Sequence, residues 1–240
     1  MATTPRFSVK RKVDYPTSDG KPMAETDVHR QDMVDLIETL QDRYQDDPNT
    51  YVTGNLLLFY EEGNRRKHIS PDVFLAHGVR KSPPRNYYQM WVEGKGPDLV
   101  IEITSKTTRR EDEKKKWKIY RDVLKVPEYI QFDPTEDYLR PSMQGHRLID
   151  GEYLPIALVA NRLPSEILGF HFERDGTELR LFDPATRRRL LTRAEKIVES
   201  EAKIERTVEL MEAREQLSQA ENQRLRLEIE ELRKRLSGTQ

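Results

Sequence analysis

Pro97-Asp98-Leu99-Val100-Ile101-Glu102-Ile103-Thr104 decides how the rest of this chain is read. The run is apolar from Leu99 to Ile103 except for one acid, the pattern of a central strand covered on both faces. Residues two apart in a strand share a face, so Asp98, Val100, Glu102 and Thr104 point one way. An ionised Glu102 among Leu99, Val100, Ile101 and Ile103 is expensive unless a cation faces it.

The segments on either side supply a scaffold for that strand. Thr107 or Thr108 suits the N-cap of a helix running to about Leu124, with Glu111 and Asp112 in its first turns. Trp117, Tyr120 and Leu124 line one face of this helix. Val126-Pro127 ends it, and Tyr129–Phe132 reads as the next strand. Strand, helix and strand within about 35 residues form a βαβ unit, so the two strands are expected to be parallel. Upstream, Ile69–Ala76 reads as a strand carrying Asp72. Tyr51–Tyr60 reads as another, with an irregularity at Gly54-Asn55. Before these, Ala24–Tyr44 has a helical stripe of Val28, Met33, Ile37 and Leu40, widened by Val34 and Leu36. Tyr138–Asp183 reads as small antiparallel strands beside the core.

The two ends differ in character from the middle. Residues 1–22 are polar and turn-rich and read as a loose arm, leaving 23–190 as the folded domain. Arg193 to Leu236 lacks Gly and Pro and consists of strong helix formers. One heptad frame puts Ile197, Ile204, Val208, Met211, Asn222, Leu225, Ile229, Leu232 and Leu236 on a seam. Glu215 and Ser218 interrupt it, and Leu210, Ala213, Leu217 and Ala220 form a competing stripe, so the register shifts mid-helix. A single Asn on an apolar seam fixes register and favours a dimer. The segment 193–236 is therefore expected to be a homodimeric coiled coil, against a solvated or partner-binding helix.

Composition narrows the function classes. The 240 residues carry a net charge of -1, with hydrophobic and charged residues each 35%, so a nucleic-acid surface must come from local clustering of Lys and Arg. The absence of cysteine excludes disulfides, thiolate metal sites and cysteine nucleophiles. No apolar run is long enough to span a membrane, and the N-terminus has no signal-peptide stretch, so a cytoplasmic protein is expected.

Asp72, flanked by Pro71, Val73, Phe74 and Leu75, has the same need for a partner as Glu102. Mg²⁺ is bound through one or two carboxylates plus water and substrate phosphate, so two acids and a lysine are sufficient for a phosphodiester-hydrolysing site. Mn²⁺ is a possible substitute. Lys114, Lys115 and Lys116 spread over about 200° of helix. Lys116, one turn before Tyr120, is the preferred catalytic cation, and Lys106 is its rival. Arg109 and Arg110 are candidates for phosphate contact. Glu25 and His29 share a face at the start of the first helix. Glu25 reads equally as a third metal ligand or as half of a surface pair. No glycine-rich phosphate loop, HExxH or Gly-x-Ser-x-Gly is present.

Ser70-Pro71-Asp72-Val73, Pro97 to Ser105, Thr107 to Asp112, Lys116 with Tyr120, and Val126 to Pro134 together resemble a large bacterial "putative restriction endonuclease" family of the PD-(D/E)XK nuclease superfamily. Tyr15 to Gly20 and Glu25 to Gln31 resemble that family's N-terminal segment. The likeness spans about residues 13–190. It implies an α/β restriction-endonuclease-like core, a mixed sheet flanked by helices, and Mg²⁺-dependent endonuclease action on DNA. Asp72 and Glu102 match the two metal-binding acids, and Glu25 the acid on the first helix. The superfamily's lysine two residues after the second acid is here Thr104, so the resemblance implies that Lys116 has taken its place. The alternative is a nuclease fold that binds nucleic acid without cutting, or one whose coiled coil is the working part.

Overall fold

The computed structural model describes residues 13–18, 26–104, 109–137 and 139–237. Helix α1 spans Asp27–Arg43 and starts at Thr26, whose side chain accepts a hydrogen bond from the His29 amide. Then come β1 (Thr50–Thr53), β2 (Leu58–Phe59), β3 (His68–Ile69), β4 (Val73–His77) and β5 (Tyr88–Gln89). The short α2 (Met90–Glu93) leads to β6 (Leu99–Ile103), and α3 (Arg109–Lys118) runs into a π-helical segment, Ile119–Leu124. Strands β7 (Glu128–Phe132), β8 (Met143–Ile149) and β9 (Glu152–Pro155) follow. The remaining strands are β10 (Leu163–Pro164), β11 (His171–Asp175), β12 (Glu178–Asp183) and β13 (Arg188–Arg189), before the long α4 (Arg193–Ser237).

Six strands form the main sheet in the order β1-β4-β6-β7-β8-β9. Only β6 and β7 pair in parallel, as the βαβ reading requires; every other pairing in this sheet is antiparallel. Strand β6 is central and wholly buried. Its alternation divides the core into two layers. Leu99, Ile101 and Ile103 pack with Met33, Leu36 and Leu40 of α1 and with Phe172, Leu179 and Leu181 of a second, four-stranded sheet (β10–β13). Val100, on the opposite face, packs with Tyr120 and Leu124 of the π-helical segment and with Leu58, Ile69 and Tyr88 of a small third sheet.

Four local expectations change. Tyr51–Tyr60 is two strands rather than one, and the break falls at Gly54-Asn55. Asn55 has φ of 51°, and a Cβ on Gly54 would lie 2.0 Å from the Asp72 carbonyl oxygen and 2.6 Å from the Ile37 side chain. Ile69–Ala76 also divides, leaving Asp72 between β3 and β4. On α1 the buried face is His29, Asp32, Met33, Leu36, Thr39 and Leu40, whereas Val28 and Val34 are exposed. Strands β8 and β9 extend the main sheet instead of packing beside it.

The described part of the N-terminal arm packs against the domain. Tyr15 is buried against Leu57 and Phe59, and its hydroxyl accepts a 2.7 Å bond from the Gly63 amide. The chain divides into two compact units at Thr192/Arg193. The second unit is α4, exposed along almost all of its described length. No helix among the described residues is long and apolar enough to cross a membrane.

Candidate functional site

Register brings the two acids together. Val73 of β4 faces Ile101 of β6, so one step beyond that antiparallel pairing Asp72 stands opposite Glu102. The Ile103 amide donates a 2.8 Å hydrogen bond to Asp72 Oδ2, fixing one carboxylate oxygen at the end of β6. From α1, His29 Nε2 lies 3.5 Å from the same Oδ2. This histidine is 7% exposed in its side chain and Asp72 16%, so the contact is shielded from solvent.

Glu102 is held from the other face of the sheet. Lys116 Nζ donates to Oε2 at 2.8 Å, and the Tyr120 hydroxyl donates a short bond to Oε1. Lys116 and Tyr120 lie four residues apart and reach the same carboxylate. Tyr120 stands at the start of the π-helical segment, and π-turns recur at functional sites. Neither carboxylate oxygen lacks a donor.

Electrostatics separates the two acids. Burial pushes Glu102 up to about 8, and the neighbouring Asp72 charge adds to the rise, against the pull of Lys116 and Tyr120. Burial acts on Asp72 in the same direction, but the His29 bond, Lys116 and the Ile103 amide outweigh it and hold its carboxyl below the usual carboxylate range. The Tyr120 hydroxyl is raised well above 10, by burial first and then by the Glu102 charge, so it remains a donor.

Not every residue named from sequence falls in this cluster. Asp72, Glu102 and Lys116 converge. Glu25 and Lys106 lie outside the described residues. Arg109 and Arg110 belong to α3, but their side chains lie outside the described part. Thr104 faces the backbone, its hydroxyl donating to the Phe132 carbonyl at 2.9 Å. Asp98 belongs to the opposite end of β6, where both carboxylate oxygens receive Lys95 Nζ and Oδ2 also accepts from the His77 amide.

Sequence reasoning missed His29 as a partner of Asp72, and it used Tyr120 only to mark the inward face. The Lys-x-x-x-Tyr spacing carried a signal for Tyr120. A contact linking positions 29 and 72 leaves no local trace.

Among the described residues no group of three or more His, Asp or Glu is placed to hold a metal ion. The donors present nonetheless suit a hard divalent cation. They are two carboxylates on adjacent strands, close enough for one to raise the proton affinity of the other, and Mg²⁺ takes the rest of its shell from water and phosphate.

The mixed sheet flanked by helices makes this an α/β protein, in which Asp72 and Glu102 stand side by side with Lys116 of the following helix 2.8 Å from Glu102. The family model Uma2, described as "Putative restriction endonuclease", matches residues 5–175, and the chain belongs to that family. Among solved structures, the chain is similar to "a putative nuclease belonging to DUF820" from Anabaena variabilis, with 14% identity and a TM-score of 0.45. That match covers 63% of this chain and 80% of the other. No curated protein matches.

Proposed function

We propose that residues 23–190 form a Mg²⁺-dependent endonuclease that hydrolyses DNA phosphodiester bonds, with Mn²⁺ able to substitute. The observation that carries this reading is the convergence of Asp72 and Glu102 from adjacent strands, with Lys116 2.8 Å from Glu102.

Asp72 and Glu102 would hold the ion. When bound there it would lower the pKa of a water and neutralise charge on the phosphate. Asp72 stays ionised and oriented by the Ile103 amide, so it is ready to bind a cation without first losing a proton. Lys116 donates to Glu102 in the resting protein and supplies positive charge to the phosphate as negative charge develops. Thr104, engaged with the backbone, leaves that role to the helix. Residues 193–236 serve as the pairing element that brings two such units to one duplex.

The test is cleavage of supercoiled plasmid with Mg²⁺, and with Mn²⁺ in parallel. The parent chain should nick or linearise the plasmid, while Asp72→Ala and Glu102→Ala should lose about 10²-fold or more of the rate and keep their circular dichroism spectra. A parent chain that binds DNA but leaves it intact with either ion would overturn the hydrolytic reading in favour of a non-cleaving binder.

A further inference from the structure

Among the described residues the C-terminal helix carries exposed apolar side chains at coiled-coil spacing. Leu225, Ile229 and Leu232 are each about half exposed, at 48%, 50% and 52%, as are Ile197 and Val208. Spacings of three and four residues put Asn222 and Ile229 at a positions and Leu225 and Leu232 at d positions of one heptad frame. A β-branched residue at a, leucine at d and one asparagine at a is the combination that selects two parallel strands.

The flanking charges choose between possible occupants. In the same frame Gln219 (e) and Arg235 (g) lie at the two ends of the segment, and between them Glu221 and Glu228 occupy g positions and Arg226 and Arg233 occupy e positions. These last four side chains are exposed. A parallel, in-register copy places each g residue against the e residue five positions on in its partner. That sets Glu221 against Arg226 of the second copy and Glu228 against Arg233 of the second copy, on both sides of the seam. An antiparallel copy centred here would instead oppose g with g and e with e, so glutamate would meet glutamate and arginine would meet arginine.

We propose that the C-terminal helix binds a second copy of this chain as a parallel, in-register coiled coil over about residues 219–236, aligned by Asn222 and oriented by the Glu221–Arg226 and Glu228–Arg233 pairs. This rests on the pairing role given to the helix above, and on none of the chemistry. Polar Glu201, Glu215 and Ser218 interrupt the seam further up, so the C-terminal third is the part that holds the copies together. Both chains then enter the coil at the same end, near residue 219.

The chain lacks cysteine, which makes orientation directly measurable. Light scattering of the full chain should give twice the chain mass, and Leu225→Asp/Ile229→Asp should give the single mass. Leu232→Cys, at a d position within the pairing segment, should cross-link quantitatively to a covalent dimer under mild oxidation. Glu221→Arg/Glu228→Arg and Arg226→Glu/Arg233→Glu should each fail to self-associate where the parent is dimeric, and should pair when mixed. A monomeric parent would overturn both pairing and register. A dimer in which Leu232→Cys does not cross-link would overturn the parallel register alone. Plasmid cleavage, scored separately, does not enter either outcome.

Discussion

At the scale of single residues, the candidate site is an unequal pair of acids. Lys116→Met removes the cation from a carboxyl only 6% exposed, and Glu102, already raised by burial, then holds its proton more firmly. Cleavage should fall about 10²–10³-fold while the melting temperature changes little, as plasmid assays and calorimetry would record. His29→Ala should weaken Mn²⁺ binding about 10–100-fold, the range expected when a residue orienting a metal ligand is lost. Titration calorimetry with the metal alone reads this, and His29→Gln, which keeps a donor, should recover part of it. The pH dependence follows from two raised carboxyls. Glu102 sits at about 8 instead of 4.5. Asp32, raised first by burial and then by Glu178, sits at about 7 instead of 3.8. The folded state therefore holds more protons than the unfolded state through this window, and stability falls as pH rises from about 4 to 8. Asp72, shifted downward, contributes the opposite slope, lost only below its ordinary value of 3.8. Glu102→Gln and Asp32→Asn should each flatten the fall in melting temperature between pH 5 and 8.

Among the elements, the reading from sequence succeeded where the pattern is local. The central strand, the following helix and the parallel return strand are contiguous, and apolar periodicity with Val126-Pro127 as a stop defines them. The acids on strand termini were legible for the same reason: a carboxylate inside an apolar run signals an unmet charge. What stayed hidden is long-range. Nothing near His29 announces Asp72, and Val28 and Val34 looked inward because apolar character was weighted above the polar residues that α1 buries. The break between β1 and β2 was visible only as an irregularity, since its cause is Asp72's backbone crossing close to Gly54. Gly54→Ala should therefore cost about 1–3 kcal/mol, as overpacking does, and displace Asp72. Urea denaturation would measure the first effect and the accompanying loss of metal binding the second.

The whole molecule joins a packed unit of three sheets to a single exposed helix. All three buried clusters belong to the first unit. Ending the chain after Thr192 should leave the melting temperature of that unit within a few degrees of the parent, as scanning calorimetry would show. Under the proposed function, linear double-strand products should give way to nicked circles, because each unit would then act on one strand.

The pairing of Asp72 with Glu102 depends on an antiparallel register in which Val73 faces Ile101. A slip of one residue turns every side chain of a strand to the other face, and the two carboxylates would part. Under the proposed function, cutting competence would therefore report on this register, because a molecule with slipped strands would hold half a metal site. The same pairing that assembles the core would then also decide whether the molecule can cut.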